Sequence, residues 1–201
     1  FPAYGIHPWY LKDGGLEEVE RCLRQPEASA VGEIGLDLSE GMPPQETQER
    51  LLLAQLDMAA TFCLPVLLHC RKAHDRLHAI LRAYAGRMAM VMHSFSGSAE
   101  TMKKYLDLGC YVSFSGSVTR QGAKKYHRCA REVPPERLLL ETDAPSIATE
   151  TTVASRVEPW NTVEVAKKVA EIRGVPCPEI CRRSTENARR VFGMERSDRE
   201  P

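Results

Sequence analysis

Long hydrophobic runs are absent from this sequence: apolar stretches such as Leu51–Leu53 and Leu138–Leu140 cover only a few residues, far short of the roughly 20 that cross a bilayer. A membrane-spanning helix is excluded. Net charge is absent too, with 27 Lys+Arg against 27 Asp+Glu. That balance excludes a polybasic coat for nucleic acid, so any phosphate must be held locally. The seven cysteines include no CxxC pair and are odd in number, which excludes a closed disulfide framework. Most of them read as small buried hydrophobes of a reducing compartment, the cytoplasm. Cys177 and Cys181 are the closest pair, but no Cys or His follows to complete a zinc site, and they are read as structural. No basic stretch followed by an apolar one opens the chain, so no secretory signal is read. The first residue is Phe1 rather than Met, and a missing beginning is expected.

What is present suffices for a substantial core: 201 residues, 43% hydrophobic and 27% charged. Short apolar runs alternate with amphipathic stretches. Ala30–Asp37, Leu64–Cys70, Met88–Phe95, Cys110–Phe114 and Arg137–Thr142 have the character of buried parallel strands, and Phe1–Ile6 is the tail of another. Helical patterns fall at Leu16–Arg24, from Pro43-Pro44 through Cys63, and at Ala73–Tyr84, Ala99–Leu108, Lys124–Glu132, Thr162–Arg173 and Glu179–Phe192. Gly109, Gly174 and Gly193 stand where C-caps belong.

Alternating β and α units demand a parallel sheet, either doubly wound or a TIM (β/α)8 barrel. Reactive residues cluster just after strands, which favours the barrel. Such a barrel typically takes eight units in about 250 residues, so two βα units are short. At about 30 residues per unit, about 50–60 further residues are expected upstream of Phe1. No linker divides the chain, and residues 1–193 read as one incomplete barrel domain, with 194–201 a frayed tail. Ser94-Phe95-Ser96-Gly97-Ser98 recurs as Ser113-Phe114-Ser115-Gly116-Ser117. Both copies read as tight turns between strand and helix, with Ser98 an N-cap; a phosphate cradle is the sharper alternative.

Four metal-capable side chains close four different strands. Glu33 sits inside the apolar run Gly32–Asp37, where a buried carboxylate needs a cation. His69 ends one run, His93 ends another, and Asp143 follows a third. Imidazole nitrogens and carboxylate oxygens meeting at one end of a barrel suit a divalent metal that activates water. His74 and His78, at i and i+4, imitate the HExxH helix of zinc proteases, but Asp75 replaces its Glu and the flank is ordinarily amphipathic. His127 reads as a solvated helix position.

Six ordered segments now carry a resemblance: Gly5-Ile6-His7-Pro8, Gly32–Asp37, Leu68-His69-Cys70-Arg71, Met92–Ser98, Glu141-Thr142-Asp143-Ala144-Pro145 and Thr185-Glu186-Asn187-Ala188. Over nearly the whole chain the sequence resembles the TatD family of metal-dependent deoxyribonucleases. The resemblance implies an amidohydrolase-type TIM barrel with two divalent ions (Zn, Mn or Mg). It makes Glu33 the shared ligand, has His69 and His93 complete the second site, and makes Asp143 the first-metal carboxylate and general base. The family's opening Asp-x-His-x-His-like motif has no counterpart here, and Cys70 stands where the family often has Ser. Arg71 and Arg156 are candidates for holding phosphate, and His7 for touching substrate.

The expected activity is metal-dependent phosphodiester hydrolysis, as in a DNase working 3'-5' on DNA ends or single strands. Zero net charge fits such a small footprint better than a duplex-wrapping surface. The same metal ligands would serve another ester or amide, and a chain truly without its first strands would be a non-catalytic binding protein.

Overall fold

The structure, a computed structural model, describes residues 1–11 and 15–194. The expected frayed tail lies, apart from Met194, outside the described residues. Six parallel strands, β1 (Ala3–Tyr4), β2 (Ala30–Asp37), β3 (Val66–Arg71), β4 (Met90–Met92), β5 (Tyr111–Phe114) and β6 (Leu138–Leu140), pair in strict sequence order. A doubly wound sheet reverses its strand order at a switch point. This one never does, so the order is that of a barrel wall. Helices α1 (Gly15–Leu23), α2 (Gln45–Phe62), α3 (His74–Leu81), α4 (Ala99–Asp107) and α5 (Lys124–Glu132) fill the successive crossovers, and α6 (Thr162–Arg173) and α7 (Cys177–Val191) follow β6.

The core lies where the apolar strands meet one stripe of each helix. Leu52, Leu56 and Ala59 of α2 recur at i, i+4 and i+7 and are buried, as are Leu77 and Leu81 of α3 and Val165 and Val169 of α6. They pack in one cluster with Ile34, Leu36, Leu68 and Val112 from the sheet. Helix ends follow local chemistry. Ser98 Oγ accepts the Thr101 N–H at 3.1 Å to cap α4, and Gly174 takes the left-handed conformation that stops α6.

Several expected boundaries shift for physical reasons. The third strand opens at Val66 rather than Leu64, because the Leu64 N–H still bonds Ala59 O at the end of α2 and Pro65 has no N–H to give. The fourth ends at Met92, since the backbone turns at Ser94 with φ of 39°. The final helix starts at Cys177, before Glu179, with Pro178 tolerated in its first turn. In the second copy of the serine-rich echo, Ser113 and Phe114 belong to β5 itself, and only Gly116 onward forms a short turn. The two copies meet: Ser94 Oγ and Ser115 Oγ hydrogen-bond at 2.7 Å.

Two buried glutamines of α2 fasten the strand ends that face the mouth. Gln55 Oε1 accepts the Ile6 N–H at 2.6 Å. Gln48 takes the Asp37 N–H on Oε1 and donates from Nε2 to Asp37 O, both at 2.8 Å. Sequence alone gives no hint of this, because both sit on the apolar face of α2.

Candidate metal centre

Parallel strands in register end together, so residues that close them share one face. Gly35 pairs with His69, Leu68 with Met92, and Val112 with Leu138. An irregularity in the β2–β3 register between Val31 and Ile34 leaves Glu33 half-buried in an otherwise buried strand. Asp143, just past β6, has φ of 56°.

Glu33 Oε1 is the hub. It lies 3.0 Å from His69 Nδ1, 3.4 Å from His93 Nε2 and 3.8 Å from His7 Nε2. Asp143 Oδ1 stands 3.7 Å from the same His93 Nε2. All four residues singled out at strand ends therefore come together, and His7 joins them closely enough that His7, Glu33 and His69 could share an ion. The ring of His7 is not free at both nitrogens, however. Its Nδ1 accepts the Trp9 N–H at 3.1 Å, so a neutral His7 carries its proton on Nε2, facing Glu33. Burial and the neighbouring His69 hold its pKa below the ordinary value, which favours that neutral form.

Each central imidazole also has a carboxylate behind it. His69 Nε2 is 3.3 Å from Asp37 Oδ2, and His93 Nδ1 is 2.9 Å from Glu141 Oε1. The second is a close contact rather than an aligned hydrogen bond, for the buried Glu141 Oε1 has no well-directed donor. Asp37 itself is fully buried and takes hydrogen bonds from Trp9 Nε1 at 2.7 Å and Ser39 N at 2.9 Å. Burial works against its charge, yet hydrogen bonds from Ser39, Trp9 and His69 hold its pKa down to about 2. Glu33 is likewise lowered against the opposing effect of burial, through His69 and His93. Asp143 is lowered chiefly by its interaction with His93. Around His93, burial disfavours charge, but Asp143, Glu141 and Glu33 outweigh it and raise the ring to about 11.

Four carboxylates, Glu33, Asp37, Glu141 and Asp143, thus crowd against His69 and His93. A field that holds a proton so firmly also attracts a divalent cation. Imidazole nitrogen mixed with carboxylate oxygen is a donor set for Zn or Mn, and carboxylates behind ligand histidines fix ring and tautomer in metal sites generally. The residues present fit a metal.

A cavity of about 210 Å³ opens over the cluster, lined by His7, Trp9, Tyr10, Glu33, His69, His93, Asp143 and Ser146. A second, of about 290 Å³, adjoins it across Trp9, His69, His93 and Asp143 and reaches Arg71. Arg71 is exposed, and among the described residues no carboxylate pairs with it. Arg156 sits on a short turn, Ala154–Arg156, and lines neither cavity. His74 is turned away, its Nδ1 3.2 Å from Cys70 Sγ and 3.4 Å from Tyr105 Oη. His127 is not a solvated position: it is half-buried, and its Nε2 donates to Val118 O at 3.0 Å. Cys177 and Cys181 lie one turn apart on α7, their Sγ atoms 4.0 Å apart, and none of the seven cysteines is in a disulfide.

Asp37, Glu141 and Trp9 were not among the expected site residues. A signal existed for Glu141, two positions before Asp143 at a strand end, where alternate residues share a face.

The family model for TatD related DNase matches residues 1–193. The chain belongs to the TatD family. It is 33% identical over 196 residues to a Bacillus subtilis protein named uncharacterized metal-dependent hydrolase YabD, covering 96% of this chain and 77% of that one. It is also 33% identical over 200 residues to the 3'-5' ssDNA/RNA exonuclease TatD of Pantoea ananatis, covering 94% and 76%. Among solved structures, YjjV, a TatD homologue from Escherichia coli, superposes with a TM-score of 0.89 at 34% identity, covering 95% of this chain and 76% of that one. This TatD protein is accordingly a metal-dependent hydrolase, and its six-stranded sheet is TIM-barrel wall. No helix among the described residues is long and apolar enough to cross a membrane.

Proposed function

We propose that this TatD protein hydrolyses phosphodiester bonds at the ends of single-stranded DNA in the 3'-5' direction, with two divalent ions (Zn, Mn or Mg). The observation that supports it most directly is Glu33 Oε1 within 3.4 Å of both His69 Nδ1 and His93 Nε2, beside a cavity that reaches the exposed Arg71. In this reading Glu33, His69 and His93 hold one ion, and Glu33 and Asp143 reach the other. Bound metal would lower the pKa of a water and neutralise the phosphoryl oxygens.

The chain's own residues do the rest. Asp143, held ionised chiefly by His93, takes the proton of the attacking water on a carboxylate oxygen. His7 donates from Nε2 toward the substrate. Arg71, and Arg156 from the β6–α6 connection, grip flanking phosphates. A reducing compartment, the cytoplasm, suits seven free cysteines, and residues 1–193 act as one barrel domain.

The test is a substrate panel of single-stranded DNA, duplex DNA, RNA, aryl phosphates and carboxylic esters, run with each metal and with a chelator. The expected result is metal-dependent shortening of single-stranded DNA from its 3' end, abolished by chelation. Turnover of carboxylic esters or amides without cleavage of any phosphodiester would overturn the reading.

A further inference from the structure

Of the metal cluster, His7 and Glu33 line only one of the two adjoining cavities. The other, of about 290 Å³, has Trp9, Tyr126 and Ile147 among its apolar walls and the hydroxyls of Ser94, Ser96 and Ser117 among its polar ones. Trp9 forms a wall of both cavities. It is 43% exposed, a large apolar surface to leave in water. Yet it is held firmly: its indole N–H is fixed at 2.7 Å on the fully buried Asp37. Its ring stands edge-on to His7 at 4.8 Å and to His69 at 5.7 Å between centroids. A rigid, partly exposed aromatic beside a reacting centre loses little entropy when a flat ligand stacks on it.

We propose that this cavity is a nucleobase pocket with Trp9 as its stacking wall, so that the site accepts the unpaired base next to the scissile phosphate. The inference rests on the phosphodiester reading of the metal site. A base lodged here sits one sugar-phosphate away from the cluster, because the two cavities share His69, His93 and Asp143. Every base offers a π-face, and serine hydroxyls both donate and accept, so the pocket tolerates any base. A base still paired in a duplex cannot enter without leaving its partner. Single strands are therefore selected by the pocket, with no need for the net positive charge that this sequence lacks.

The sequence supplies the reporter, for its two tryptophans are Trp9 and Trp160. In a Trp160→Phe protein Trp9 is the sole indole. Thymidine 5'-monophosphate should quench its fluorescence saturably, whereas ribose 5-phosphate should not. Kinetics supply the second arm, with one single-stranded oligonucleotide carrying a normal 3' end and another carrying an abasic 3' nucleotide. Trp9→Ala should raise KM for the normal end by about 5- to 150-fold more than for the abasic end, the worth of one base–aromatic stack, over any loss that both ends share through Asp37. Trp9→Phe, which keeps a ring but loses the N–H to Asp37, should recover most of the difference. Equal losses on both ends, or equal quenching by both phosphates, would overturn the pocket. A protein that cleaves no oligonucleotide but shows nucleotide-specific quenching would overturn the proposed reaction and support the pocket.

Discussion

His69 is held from behind by Asp37: Nε2 lies 3.3 Å from Oδ2 of a carboxylate with no solvent exposure, while Nδ1 on the other side of the ring faces Glu33 at 3.0 Å. The orientation of His69 is thereby set by a residue that lines neither cavity. Asp37 is in turn fixed through its backbone by Gln48 and through its side chain by Trp9 and Ser39. The β2 terminus, α2 and the Trp9 loop thus meet at one carboxylate.

Asp37→Asn should weaken metal binding or hydrolysis by about 10- to 100-fold, the usual penalty for losing the partner behind a ligand histidine. The fold should persist, because Asn still accepts at one atom and fills the same volume. Equilibrium metal titration followed by a thermal melt in chelator checks both halves. Unchanged metal affinity would mean that Asp37 serves only the strand end.

His93→Ala should remove bound metal and hydrolysis together, since its Nε2 lies between Glu33 and Asp143. His74→Ala should leave both in place and instead cost stability, because that ring bonds Cys70 and Tyr105 on the α3–α4 side. Metal analysis by mass spectrometry alongside melting curves separates the two. Comparable metal loss in His74→Ala would move the site to the helix.

Glu33, His69, His93 and Asp143 were legible because each interrupts or ends an apolar run, where a polar side chain is either costly or functional. The strands and their parallel pairing were legible from alternation, but their order was not, and it is the unreversed order that separates the barrel from a doubly wound sheet. Gln48 and Gln55 were not legible: an amide on an apolar helix face is explained only by the strand end it meets. His127 looked solvated among Lys124, Lys125 and Arg128, and only the fold brings the Val118 carbonyl to it.

Gly35 leaves no room for a Cβ between β2 and β3. A Cβ there would come within 2.0 Å of His69 O and 2.8 Å of His69 C, backbone atoms that cannot move without separating the strands. Gly35→Ala should cost about 3 kcal/mol or more, a fall in Tm of about 6 °C or more. It should also weaken metal binding, because the displaced residue is His69. Leu77→Ala, a cavity-forming change in α3 away from the strand ends, is the control. If both variants bind metal alike after correction for unfolded protein, the close approach bears on stability alone.

The connection from β6 to α6 follows Asp143 directly and is tied by one side chain, Glu164. Its carboxylate accepts from Thr149 Oγ1 at 2.6 Å, Thr151 Oγ1 at 2.5 Å, Thr152 Oγ1 at 3.1 Å and Asn161 Nδ2 at 2.5 Å. It also lies in the first turn of α6, where the helix favours negative charge. Burial opposes ionisation, but these donors outweigh it and bring the pKa from 4.5 to about 2. The unfolded chain therefore takes up this proton more readily than the folded one. The stabilisation is complete above about pH 4.5 and is lost as pH falls toward 2. Glu164→Gln has no such titration and places an amide NH2 against hydroxyl and amide donors. It should be less stable than wild type at pH 7 by about 1–3 kcal/mol, the scale of hydrogen bonds to a charged group. Urea unfolding of both proteins at pH 7 and pH 3, in chelator, should show that gap narrowing in acid. A gap that stays constant would mean that the carboxylate's charge does not hold the connection.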